Sequence, residues 1–132
     1  LKHSVNRSCI ENKKVILIDD SIVRGTTANK IVKMVYEAGA KEVHLGISCP
    51  PILHPDFYGI DTPNYNQLIA SKSSLKEMTK LVGAKSLFFL SLNGTYKAMG
   101  CEKRNSKTPQ FTDHCFTGEY PIDVTEILKL NR

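Results

Sequence analysis

Residues 14–48 hold the pattern that most limits what this chain can fold into. "KKVILIDD" carries four consecutive apolar residues, Val15 to Ile18, ending on two aspartates. An unbroken apolar run of this length predicts a strand of a parallel sheet covered on both faces. "SIVRGTT" follows as a short loop, and Thr26 or Thr27 is placed to cap a helix. Ala28, Ile31, Val32, Val35 and Ala38 then recur at helical spacing, and Gly39 supplies a stop. "KEVHLGIS", residues 41 to 48, reads as a second strand. Strand, helix and strand joined by short connections predict parallel pairing with a right-handed crossover.

The rest of the chain extends this α/β pattern. "CPPILHPDFYGIDTP" holds four prolines and a glycine, which forbid a regular helix. "NYNQLIA" and "SLKEMTKLV" read as two short helices, with Asn64 and Ser73 or Ser74 as caps. "KSLFFLS" reads as a third strand, "LNGTYKAMG" as a short helix, residues 102–112 as a polar loop and 123–130 as a terminal helix. The 132 residues suit one domain rather than two. The fold class expected is an open parallel α/β sheet with flanking helices.

Composition narrows the partners. The net charge is +5, with lysines scattered rather than run together and no tryptophan, a pattern that points away from nucleic acid. An anionic small molecule suits the charge. No apolar run approaches the ~20 residues of a membrane helix, and the polar start "LKHSVNRSCIENKK" has no apolar centre of a leader. Cys9, Cys49, Cys101 and Cys115 form no CxxC pair and no zinc spacing, so reduced thiols in a cytoplasmic protein are expected.

The chemistry concentrates in residues 19–27. Amides at a helix N-terminus point outward unpaired, and the helix dipole favours an anion there. Gly25 lets the backbone approach a phosphate, and the Thr26 and Thr27 hydroxyls add donors. Asp19 and Asp20 repel one another and call for donors or a cation, which the hydroxyls of a ribose and a Mg²⁺ ion supply. Phosphate at one end and carboxylates at the other describe a binder of ribose 5-phosphate, at the carboxyl ends of parallel strands. Phosphoacceptor receiver domains also gather acidic residues at strand ends. That pattern leaves Gly25-Thr26-Thr27 unexplained, and "SLFFLSLNG" offers no lysine on the late strand.

"VILIDDSIVRGTT" closely resembles the phosphoribosylpyrophosphate (PRPP) loop of type I phosphoribosyltransferases, in the form carried by the glutamine PRPP amidotransferase family. "EAGAKEVHLGISCPP", "FYGIDTP", "QLIA", "VGAKSLFFLSLNGTYKAMG" and "CFTGEYP" extend the resemblance over essentially all of residues 1–132. It implies the C-terminal portion of one phosphoribosyltransferase domain, with the glutaminase domain and the early strands outside this stretch and the sheet therefore incomplete. The implied reaction is the first committed step of purine synthesis, in which ammonia from glutamine displaces pyrophosphate from PRPP to give phosphoribosylamine. Carried over by position, Asp19 and Asp20 hold the ribose hydroxyls and share Mg²⁺, while Arg24, Gly25, Thr26 and Thr27 cradle the 5-phosphate, mostly through backbone amides, with Ser21 among the substrate-binding residues of the same loop. Tyr58 and Asp61 are expected near the site. The resemblance further implies PRPP or a purine nucleotide as ligand, a homo-oligomer, and a glutaminase-bearing chain as a partner if the enzyme is split. A non-catalytic nucleotide-binding or interaction module derived from that enzyme is the alternative. One branch of the family binds an iron–sulfur cluster through cysteines. The matching positions here are Asp56, Thr112 and Cys115, too few thiols for the roughly four a cluster takes, so no cluster is expected.

Overall fold

Three parallel strands in the order β1-β2-β3 form the sheet: β1 (Lys14–Asp19), β2 (Glu42–Ile47) and β3 (Ser86–Phe89). The computed structural model describes residues 5–59 and 64–130. Asp61, expected near the site, lies outside those residues.

β1 runs beside β2 with Asp19 opposite Ile47, and β2 beside β3 with Ile47 opposite Phe89. A single turn, α1 (Arg7–Ile10), precedes β1, and α2 (Thr26–Glu37) lies between β1 and β2. A 3₁₀ turn (Tyr65–Gln67), α3 (Ile69–Lys72) and α4 (Leu75–Val82) separate β2 from β3. After β3 come α5 (Leu92–Ala98), α6 (His114–Thr117) and α7 (Thr125–Leu130).

Side chains alternate across a strand, and here only one face of the sheet is covered. Val43, Leu45, Ile47 and Leu87 are buried against Ala28, Val32 and Val35 of α2 and Met78 and Val82 of α4, joined by Ile22 and Ile69. Burying each of the Val, Leu, Ile and Met side chains among them stabilises the fold by roughly 1.5–3 kcal/mol. The other face carries Ile16, 65% exposed, Ile18, 68%, and Phe88, 48%. The expectation that β1 is covered on both faces is therefore corrected. Both packed helices lie on the side of Val15 and Leu17, and an apolar run alone does not report which of its faces has a partner. Gly46 sits between Ile18 and Phe88, whose rings and methyls fill the space its Cβ would take.

Helix ends follow the local chemistry, with two corrections. The cap of α2 is Gly25 in the left-handed region at φ 78°, not Thr26 or Thr27, and no side chain caps it. Asn64 makes no side-chain cap bond, and the segment it precedes splits into the 3₁₀ turn and α3. Ser74 does cap α4: its Oγ accepts from the Glu77 N–H while Glu77 Oε2 accepts from the Ser74 N–H. Accepting from the Ser74 N–H and hydroxyl holds the Glu77 carboxyl below its usual range. Ser91 caps α5 through the Gly94 N–H.

The C-terminal third is held by buried polar contacts. Asp113 Oδ2 accepts from Tyr96 Oη at 2.8 Å and from Arg104 Nε at 2.5 Å, and Arg104 also donates to Glu119. Burial works against the Asp113 charge, but the bonds from Arg104 and Tyr96 outweigh it and its carboxyl stays below the usual range.

Candidate functional site

The loop between β1 and α2 is built mostly from its own backbone. Asp19, the last residue of β1, gives its carbonyl to the Ser48 N–H and Oγ, at 2.9 and 3.0 Å, which ties the loop to the end of β2. Its Oδ1 accepts from the Asp20 N–H, and Asp20 Oδ1 accepts from Ser21 Oγ, both at 3.0 Å. The second oxygen of each carboxylate takes no hydrogen bond from a described residue. Ile22 drops into the core and anchors the middle of the loop. The Val23 carbonyl accepts from the Ile69 N–H at 2.9 Å, fastening the loop to α3.

Gly25 then turns the chain into α2. Its positive φ disfavours any side chain, and a Cβ there would lie 3.1 Å from Ile69 Cδ1. With no side-chain cap, the first amides of α2 remain free to meet an anion. Residues 19–28 line a hollow of about 300 Å³. The structure thus brings Asp19, Asp20, Ser21, Arg24, Gly25, Thr26 and Thr27 to one hollow.

Arg24 is among the hollow's lining residues. Its guanidinium is held by Gln67, Nε and Nη2 donating to Oε1 at 2.9 and 2.5 Å. It lies in a neighbouring groove of about 810 Å³, whose lining includes Lys30 and Lys72. Tyr58 is not among the lining residues of the loop's hollow; its ring stands edge-on to His114, centroids 5.0 Å apart. Ser48, Ile69 and Gln67 support the loop without any signal in the sequence around it, since Gln67 is 43 positions from Arg24.

This arrangement suits binding rather than bond cleavage by a side chain. The four cysteines are free, and the half-buried Cys49 thiol is pushed up to about 11 by burial and then by the charges of Cys115 and Asp20. It stays a thiol at neutral pH and is no nucleophile. Among the described residues no helix is long and apolar enough to cross a membrane.

No protein-family model matches the chain. Curated relatives do. Amidophosphoribosyltransferase of Rhizobium etli is 59% identical over 127 residues, which is 96% of this chain and 26% of the relative. The Bacillus subtilis enzyme of that name is 49% identical over 94% of this chain and 26% of its own length. Among solved structures, glutamine PRPP amidotransferase from B. subtilis complexed with ADP and GMP superposes with a TM-score of 0.83 at 49% identity, over 93% of this chain and 27% of that one. This chain therefore spans about a quarter of the length of the relatives it matches. In sequence and in its phosphoribosyltransferase-type fold, the chain is a stretch of the amidophosphoribosyltransferase family.

Proposed function

We propose that residues 19–27 are the ribose-phosphate half of an amidophosphoribosyltransferase site. The reaction it serves is displacement of pyrophosphate from C1 of PRPP by glutamine-derived ammonia, giving phosphoribosylamine. The observation that carries this reading is a single hollow lined both by Asp19 and Asp20, whose carboxylates keep spare acceptors, and by the uncapped start of α2. Asp19 and Asp20 accept from the ribose hydroxyls, and the amides of Gly25, Thr26 and Thr27 receive the 5-phosphate. Such a site works by holding ribose and phosphate in place while charge develops at C1.

Mg²⁺ fits this donor set in one manner. Among the described residues no group of three or more His, Cys, Asp and Glu is placed to hold a metal. Mg²⁺ is commonly held by one or two carboxylates with substrate phosphates and water completing the shell, and Asp19 and Asp20 can serve as those carboxylates. When bound, the ion neutralises phosphate charge.

Calorimetric titration of PRPP with Mg²⁺ tests the reading, with Asp19→Asn/Asp20→Asn as control. Saturable binding that the double variant loses supports it. A folded chain that takes up no PRPP sinks it. A second reading, a non-catalytic nucleotide-binding module, is supported by the solved relative's complex with ADP and GMP. GMP binding without any ammonia-dependent release of pyrophosphate from PRPP would select it. The reduced thiols suit a cytoplasmic setting, and the solved relative's ADP and GMP favour a purine nucleotide as the ligand in that case.

A further inference from the structure

Asp56 and His114 lie 58 positions apart in the chain and meet in its interior. His114 Nε2 donates to Asp56 Oδ2 at 2.7 Å, and their side chains are only 5% (Asp56) and 7% (His114) exposed. Each belongs to a segment with no regular structure beyond one helical turn, so neither is placed by a sheet or a long helix. The two segments are joined at further points around the pair. The Leu53 and His54 N–H groups both donate to the Cys115 carbonyl, at 2.9 and 3.0 Å. Tyr120 Oη donates to the Pro55 carbonyl at 2.8 Å. The Tyr58 N–H donates to Asp56 Oδ1 at 2.7 Å, and the Tyr58 and Tyr120 rings flank the imidazole with centroids 5.0 and 5.2 Å away. His114 Nδ1 is buried without a partner among the described residues, so Asp56 makes the one polar contact that orients this ring.

We infer that Asp56 and His114 form a metal-free clasp that fixes the loop of residues 49–58 against residues 113–120. The loop leaves the carboxyl end of β2 directly after Ser48, which holds the Asp19 carbonyl, so the clasp also sets the path of the chain beside the site. The donor set excludes the iron–sulfur cluster known in one branch of the resembled family. Asp56 and Thr112 stand where thiolates are required, and the Asp56 carboxylate is already engaged by His114. A buried polar pair fails sharply when one partner goes, because the other is left without compensation.

A melting cycle on the chain tests this: Asp56→Ala, His114→Ala, the double variant, and the exchanged pair Asp56→His/His114→Asp. Each single change lowers the Tm by about 10 °C. The double variant melts no lower than the worse single, and the exchanged pair recovers part of the loss. Losses that simply add, or stoichiometric iron and sulfide in protein prepared without oxygen, overturn the clasp. If the variants do not fold, the unaltered protein decides by NMR. A slowly exchanging imidazole Nε2–H proton of His114 supports the clasp, and its absence refutes it. The effect on the site rests on the function proposed above. Where the unaltered chain binds PRPP, each single variant, measured well below its Tm, binds about tenfold more weakly. Where it binds none, that function fails while the melting cycle still decides the clasp.

Discussion

The loop at residues 19–27 and the network around Asp113 use the same side chain in opposite ways. The carboxylates of Asp19, partly exposed, and Asp20, exposed, accept only from the residue that follows each, among the described residues, and keep acceptors to spare. Asp113 is buried and spends its carboxylate on Tyr96, Arg104 and Thr117. An aspartate with unspent acceptors at a helix start is arranged for a ligand. One whose acceptors are filled by a buried guanidinium is arranged for the fold. The contrast sets the proposed site apart from the scaffold.

The sharpest way to break the comparison is to remove a partner from the scaffold side. Arg104→Ala strands the Asp113 charge in the interior and costs about 3–5 kcal/mol in chemical denaturation. The same experiment on Asp19→Asn/Asp20→Asn changes stability by no more than about 0.5 kcal/mol, as expected of an exposed site. Equal losses in the two variants would erase the distinction. Acid sharpens it further. The Asp113 carboxyl is lowered in the folded state, so its stabilisation is complete above the ordinary carboxylate range, near pH 4, and is lost as pH falls through the lowered value. In Arg104→Ala this acid-dependent portion shrinks. His54 acts at milder pH. Burial, and then the charge of His114, lowers its affinity for protons, so its contribution is complete above about pH 6.5 and declines below it.

Smaller effects probe the site's own construction. Gly25→Ala forces a side chain into the left-handed region and against Ile69, costing about 1–2 kcal/mol. Because the cradle is backbone, it also weakens ligand binding, which a calorimetric titration reads. Ser74→Ala removes the cap of α4 for about 1 kcal/mol and leaves ligand affinity unchanged, since the change is remote from the hollow.

The proposed site could be put forward from the sequence because its parts are contiguous. A strand, two carboxylates, a glycine and a helix start fall within residues 14–37, and local rules place each of them. β2, β3 and α4 were legible for the same reason, through apolar runs and, for α4, a serine cap placed at Ser73 or Ser74. The scaffold of the C-terminal third was not. Arg104, Asp113 and His114 are polar residues in polar surroundings of the sequence, and only contacts 9 to 58 positions away bury them. Gln67 escaped notice likewise. The one local misreading near the site was the cap of α2, where threonines that ordinarily cap stand one position after a glycine that does so by conformation.

The bare face of the sheet has a consequence at the bench. Ile16, Ile18 and Phe88 give a fully folded chain a flat greasy plate open to water. A fluorescent dye such as ANS, whose brightening is commonly taken as a sign of a loosened, half-melted protein, will light up on this plate while the core beneath it is intact. Spectroscopists working with this chain will need the sharpness of its melting curve, rather than the glow of a dye, to say whether it is folded.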